Sequence, residues 1–183
     1  MESKELLSIM APPQNPIDSG VGKAWPEIKS GLPFPSDYMQ FINTYGSGRI
    51  ADFIVVFNPF SNEQDINFFE QFKLILGDLD ELNKSDPDYY TYPVFSMSSG
   101  LIPIGVTDNG DYIFWAAKSG ENSDFWRVAI VASRSPEVEY LNTGLVSALA
   151  GLLAGTIKPT SFPSSFAKGV TRLCTKSIVA CSV

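Results

Sequence analysis

The chain contains no histidine. Imidazole is the commonest general base near neutral pH and a frequent metal ligand, so Ser-His-Asp catalysis, Cys-His catalysis and histidine-built metal centres are excluded. Cysteine is scarce too, with Cys174 and Cys181 both close to the C-terminal end. That excludes a disulfide framework for the body of the protein; the two thiols read as incidental, with a local bridge between them left open. No phosphate-binding GxxxxGK occurs. Gly46-Ser47-Gly48 precedes an expected strand, whereas a dinucleotide fingerprint follows one and opens a helix. The acid-rich stretch from Asp108 places Ser119 where a calcium-binding EF-hand loop needs its terminal Glu. No cofactor and no metal is therefore expected. Long apolar runs are missing as well: Leu145 to Gly155 is the most apolar continuous segment, well short of the roughly 20 residues that cross a bilayer. The opening MESKELLSIMAPP balances acids against bases before a brief apolar patch, a poor secretory leader. The expectation is a cytoplasmic protein with no membrane partner.

What is present is a core. Apolar residues make up 44% of the 183 positions, aromatics 13% and charged residues only 18%, a globular composition suited to a single domain. Charge is unevenly placed. Residues 160–183 hold Lys168, Arg172 and Lys176 and no acid, so residues 1–159 carry 10 bases against 20 acids, a net charge of −10. An anionic body opposes phosphate backbones, which disfavours direct nucleic-acid binding, and it steers association with a basic protein.

The strongest local signal runs from Leu101 to Trp115, where two apolar runs flank Asn109-Gly110, a pair suited to a hairpin turn. A two-residue loop sets Asp108 opposite Asp111, Thr107 opposite Tyr112, Val106 opposite Ile113, Gly105 opposite Phe114 and Ile104 opposite Trp115. Ile104, Val106, Ile113 and Trp115 then line one face and Thr107, Tyr112 and Phe114 the other, with Phe114 covering the gap at Gly105. Both faces are apolar, so this hairpin belongs in a sheet covered on each side.

Around it the chain reads as an irregular arm over residues 1–24 and a helical turn over Trp25–Ser30. A helix capped by Ser36 follows, carrying Tyr38, Phe41, Ile42 and Tyr45 and ending at Gly46. Ile50–Phe57 reads as a strand, and Asn62–Lys84, where Ile66, Phe69, Phe72, Leu76 and Leu79 fit a 3.6-residue period, as a helix with Gly77 as a weak point. Ser85–Tyr92 is a loop; Val94–Phe95, Leu101–Val106, Tyr112–Ala117 and Phe125–Ala132 are strands, and Val138–Leu141 an edge strand. A last helix, capped by Asn142 or Thr143, buries Leu145, Leu149, Leu152 and Leu153. Strands flanked by helices predict an α+β domain over residues 25–166, with a mainly antiparallel sheet of about five to six strands packed against helices. Residues 167–183 form a C-terminal tail.

Chemistry could reside in carboxylate clusters. Asp78, Asp80 and Glu81 lie together at an expected helix end, where a solvated face is the ordinary reading. Asp108 opposite Asp111 implies like-charge repulsion across a hairpin; either turn chemistry outweighs it or a cationic group meets the pair. A glycosidase-like role for them lacks a recognisable cleft. Trp115 and Trp126, as strand aromatics, read as core. Asp86, Asp88, Tyr89, Tyr90 and Tyr92 share one loop, which reads either as a packed loop or as an interface, since acids and tyrosines combine charge with rigid amphipathic contact area.

Four stretches taken in order resemble a known family. They are Trp25-Pro26-Glu27-Ile28, then Leu32-Pro33-Phe34-Pro35-Ser36-Asp37-Tyr38, then Tyr45-Gly46-Ser47-Gly48 with Asn58-Pro59-Phe60, and finally Leu101-Ile102-Pro103-Ile104-Gly105 with Asn109-Gly110-Asp111. The set is similar to the SUKH superfamily, which contains bacterial immunity proteins and fungal regulators of cell-wall glucan synthesis, and it spans Trp25 to Phe166. The resemblance implies a non-catalytic protein-binding module, an immunity protein that neutralises a toxin of its own lineage, often a nuclease. A regulatory scaffold is the alternative. Charge and loop reasoning, rather than any family motif, places the contact with a basic toxin domain on Asp78, Asp80, Glu81, Asp86, Asp88, Tyr89, Tyr90, Tyr92, Asp108 and Asp111. Oligomeric state is not legible.

Overall fold

The protein is described here by a computed structural model covering residues 2–96 and 99–166, and the backbone of 173–174. It is an α+β domain, as the sequence predicts. Among the described residues, four helices pack with a seven-stranded sheet and a separate two-stranded hairpin.

The N-terminal stretch departs from expectation at once. Glu2–Ile9 is a helix (α1) and not part of an irregular arm. Leu6 and Met10 are buried at 2% and 0% exposure, and the Tyr45 hydroxyl donates to the Met10 carbonyl at 2.7 Å. A short amphipathic segment that is marginal alone is held by that docking. Trp25–Ser30 is likewise not a helical turn: Glu27–Lys29 (β1) and Leu32–Pro33 (β2) pair antiparallel around Gly31 at φ +77°. The Glu27 carboxylate accepts from Gly31 N at 2.8 Å and fixes that turn.

Ser36–Tyr45 (α2) matches the predicted helix and stops at Gly46, φ +65°. Its cap does not match. Ser36 makes no side-chain cap; instead its backbone N–H donates to the Asp124 carboxylate, 88 residues away, at 2.6 Å. The predicted strand Ile50–Phe57 is split. Arg49–Ile50 (β3) and Ile54–Val56 (β4) form a hairpin, because Ala51 and Asp52 both take φ near +50° and Phe53 N returns to Ile50 O at 3.1 Å. That is the mirror-image turn whose twist matches a hairpin, a geometry that runs of β-branched residues conceal.

Phe68–Ser85 (α3) begins later than the predicted Asn62. The Asn67 side chain caps it by accepting from Phe69 N and Glu70 N at 2.9 and 3.2 Å. Gly100–Thr107 (β5), Tyr112–Ala117 (β6), Arg127–Val131 (β7) and Val138–Tyr140 (β8) follow as predicted strands, while Val94 makes only an isolated bridge to Leu101. Leu145–Ala154 (α4) starts at Gly144, not at an Asn142 or Thr143 cap; the Asp37 carboxylate of α2 accepts from Val146 N at 3.2 Å in their place. Eight of its ten residues are buried, because α1 and α2 pack on α4 while α4 packs on β7. It ends at Gly155, left-handed at φ 72°, ψ 16°.

The sheet order is β8-β7-β6-β5-β4-β3, extended past β3 by the two-residue strand Leu173–Cys174 (β9), and every pairing is antiparallel. The rest of the predicted tail, residues 167–172 and 175–183, lies outside the described residues. Successive residues Ile113, Phe114 and Trp115 are buried at 2%, 0% and 1% exposure. Since neighbouring strand residues point to opposite faces, the sheet is covered on both, as the hairpin's two apolar sides predicted.

The hairpin register itself is different. The loop has three residues, Asp108-Asn109-Gly110: Thr107 N donates to Asp111 O at 2.9 Å, Gly110 N to Thr107 O at 3.0 Å, and Gly110 takes φ +80°. A type I turn closed by a left-handed glycine competes with the two-residue turn for the same Asn-Gly pair, and here it wins. Val106 therefore opposes Tyr112 and Gly105 opposes Ile113, and a bulge between Pro103 and Gly105 shifts the pairing again to Ile102 with Trp115. Pro103 cannot donate to a ladder, which suits a bulge. The gap at Gly105 is filled by backbone and not by Phe114, since a Cβ there would stand 2.6 Å from the Val55 carbonyl.

Candidate functional site

Three of the four stretches behind the family resemblance meet in one cluster. Trp25 sits edge-on to Phe60 at 4.8 Å, to Phe34 at 5.7 Å and to Tyr38 at 6.0 Å. Tyr38 in turn meets Trp115 at 5.0 Å and donates from its hydroxyl to Phe57 O at 2.6 Å. Burial pushes its pKa well above the ordinary tyrosine value. Asn58, fully buried, donates to Asp18 O at 3.1 Å and Ser47 Oγ at 3.0 Å, and its side-chain oxygen accepts from Phe60 N at 2.9 Å. Ser47 N donates to Ile17 O at 2.7 Å, and a Cβ on Gly46 would stand 2.0 Å from that same oxygen. These residues fasten residues 17–25 to the sheet; their work is structural. Trp115 and Trp126 are core, as read, at 1% and 2% exposure with rings 6.0 Å apart.

The acidic and tyrosine positions divide differently. On α3, Leu79 faces the core at 3% exposure, which turns Asp78, Asp80 and Glu81 to solvent. Asp80 pairs with Lys84 one turn on. Asp78 lies near Tyr112 at the start of β6, whose pKa is raised by burial and then by that carboxylate.

The loop after α3 is both packed and exposed. Tyr92 is buried at 5% exposure. It exchanges two 2.9 Å hydrogen bonds with the Asn83 side chain, and its hydroxyl donates to Ser135 O. Its pKa is pushed up to about 12 by burial and by the neighbouring Tyr90 and Tyr89. Tyr92 is thus a strut, a correction to its reading as a contact residue. From that anchor Asp86, Asp88 and Tyr89 project into solvent with Tyr90 half-buried; Tyr89 is 50% exposed and stands edge-on to Tyr90 at 4.7 Å.

At the hairpin tip the two acids do not face each other. Asp111 is buried at 3% exposure: its carboxylate accepts from Thr107 Oγ1 at 2.9 Å and from Ser133 N at 3.0 Å. Asp108 is exposed and paired with Arg49 of β3, which also donates to Asp52 O at 3.0 Å. Both alternatives raised by the sequence hold, one for each acid: turn chemistry for Asp111 and a cation for Asp108. Asp111 is a second strut and leaves the set of exposed candidates.

The turn between β7 and β8 links these pieces, since Ser133 binds Asp111 and Ser135 binds Tyr92. Tyrosine loop, turn and hairpin tip therefore share one end of the molecule. Sequence reading missed Arg49, Arg134 and this Ser133–Ser135 linkage. The linkage is tertiary and leaves no local signal, while exposed Arg134, at φ +62°, adds to this end a cation besides the Arg49 paired with Asp108. Among the described residues no three acids or cysteines are grouped to hold a metal ion, and no helix is long and apolar enough to cross a membrane. At this end of the molecule Asp86, Asp88 and Asp108 present carboxylates, and Tyr89 a ring, to solvent.

No curated protein and no solved structure gives a significant match to this chain. The family model SUKH_6, described as SMI1-KNR4 cell-wall, matches residues 27–143. That span runs from the β1–β2 hairpin through β8 and includes every exposed candidate residue. The chain belongs to the SUKH_6 family.

Proposed function

We propose that this protein is a non-catalytic, cytoplasmic binding module that neutralises a basic toxin domain by occluding its functional surface. Membership of SUKH_6 over residues 27–143 carries the reading, because the superfamily it resembles includes bacterial immunity proteins. The distribution of side chains supports it. Asp78, Asp80, Glu81, Asp86, Asp88 and Asp108 are exposed, with Tyr89 and Tyr90 among them as rigid contact area. A nuclease domain binds polyanions through a basic site, and an acidic face meets such a site with fast, salt-sensitive association.

The test is whether the product of the adjacent gene is a toxic domain that this protein inhibits. Changing the six acids to Asn or Gln is expected to slow association by at least about tenfold at low salt and to flatten its salt dependence. Equal inhibition by the neutralised variant refutes the surface; failure of any neighbouring toxin to co-purify refutes the immunity reading. A second reading, a regulator of cell-wall synthesis, is favoured by the cell-wall description of the matched family, and its outcome is co-purification with a biosynthetic or signalling protein.

A further inference from the structure

We propose that the outer face of α3 seats a basic, amphipathic helix of the partner protein, crossing α3 at Gly77. This deepens the toxin-binding reading and rests on it. Gly77 has a helical conformation in the interior of an 18-residue helix, and a Cβ built there meets nothing within 4 Å. Neither backbone strain nor internal packing requires glycine, yet glycine is among the least favourable residues in a helix interior. The missing side chain leaves a notch facing outward. The notch lies in a groove of about 650 Å³ with Leu74, which is 54% exposed, beside it. Asp65, Glu70, Asp78 and Glu81 line the same groove, against Lys73 as its one base.

A glycine at a crossing point lets a second helix approach closely. Leu74 supplies apolar contact there, and four carboxylates to one ammonium select lysine or arginine on either side of the partner's apolar residue. A partner helix of acidic or neutral character leaves those carboxylates without counter-charges.

An amphipathic peptide of about 18 lysine and leucine residues, long enough to form helix, serves as the probe, followed by backbone amide shifts on the full chain. Shift changes confined to residues 64–81 are expected, together with at least a tenfold loss of affinity in Gly77→Trp. Gly77→Ala is expected to raise Tm by about 2–4 °C, showing that glycine is not kept for the fold. Shift changes spread over all acidic surfaces, or affinity indifferent to Gly77→Trp, overturn the proposal. If Gly77→Trp still neutralises a toxin that the native protein binds, the seat on α3 is wrong and the immunity reading stands; if no toxin binds either form, the immunity reading fails.

Discussion

Asp108 and Asp111 flank the same turn, look equivalent in sequence, and should differ several-fold in what they contribute to stability. Asp111→Ala leaves the hydroxyl of Thr107, a residue only 4% exposed, without its acceptor, and also frees Ser133 N–H. Hydrogen bonds to a charged acceptor contribute about 1.5–3 kcal/mol each. Ser133 is exposed and can turn to water, so its share is discounted and the expected loss is about 3 kcal/mol. For a chain of 183 residues this lowers Tm by about 6–12 °C. Asp108→Ala removes one ion pair whose acid is 46% exposed. Arg49 keeps its bond to Asp52 O, and such pairs contribute under about 1 kcal/mol. Urea and thermal unfolding of Asp108→Ala, Asp111→Ala and Asp111→Asn decide the matter. The asparagine variant keeps the shape but loses one acceptor and should fall between the other two. If Asp108→Ala costs as much as Asp111→Ala, the three-residue loop and the burial of Asp111 are wrong, and the two-residue turn with its facing acids returns.

Three further outcomes follow from the same geometry. Gly46→Ala drives a Cβ to within 2.0 Å of Ile17 O at a positive φ; it should destabilise by at least about 3 kcal/mol or release residues 17–25, which limited proteolysis would report as new cleavage there. Asp124→Ala should cost about 1 kcal/mol by uncapping α2, while Ser36→Ala should be near-neutral, the reverse of what the sequence around Ser36 predicts; urea midpoints of the two variants compare them directly. At high pH, Tyr92 ionises at about 12 when folded but near 10 when unfolded. Its neutral form is the one the fold favours, so this contribution is complete below about pH 10 and drains away toward pH 12. Phenolate absorbance followed with circular dichroism should show late ionisation tracking unfolding, and Tyr92→Phe should weaken the pH dependence of stability in that window.

The parts of the fold legible in the sequence were those set by side-chain period. Helix α3 showed itself by Phe69, Phe72, Leu76 and Leu79, β6 by its unbroken apolar run, and the double coverage of the sheet by Phe114 and Trp115 both being apolar. What failed were features settled by backbone groups meeting across long separations. Asp124 caps α2 and Asp37 caps α4, so no residue adjacent to either helix start announces the true cap. The break between β3 and β4 depends on Ala51 and Asp52 adopting positive φ, which neither residue type demands. Helix α1 escaped notice because eight residues have too little propensity to be recognised without the α4 surface they cover. The candidate site was legible in composition but not in exposure: Tyr89 and Tyr92 stand three positions apart in one loop, yet one is 50% exposed and the other 5%.

That division bears on how such a protein could take a particular partner. Several residues that carry the family resemblance, Trp25, Tyr45 to Ser47 and Asn58 to Phe60, form a packed knot in which Gly46 and Gly20 leave no room for a Cβ. Altering them alters the fold. The exposed acids and tyrosines have few such ties: Asp78, Glu81 and Asp88 project from α3 and its loop, and Tyr89 is held chiefly by the turn at Asp86. Surface substitutions of this kind usually change stability by less than about 0.5 kcal/mol. On the proposed reading, substitutions on this face would change binding at little cost to folding, because the struts that shape it, Asp111, Tyr92 and the Ser133–Ser135 turn, lie beneath its exposed acids and tyrosines. Replacing Asp88 and Tyr89 together by Lys and Ala should leave Tm within about 3 °C of the native value while abolishing the toxin inhibition proposed for this face. A large fall in Tm would show that the proposed contact face and the fold share their supports, and that the two cannot vary separately.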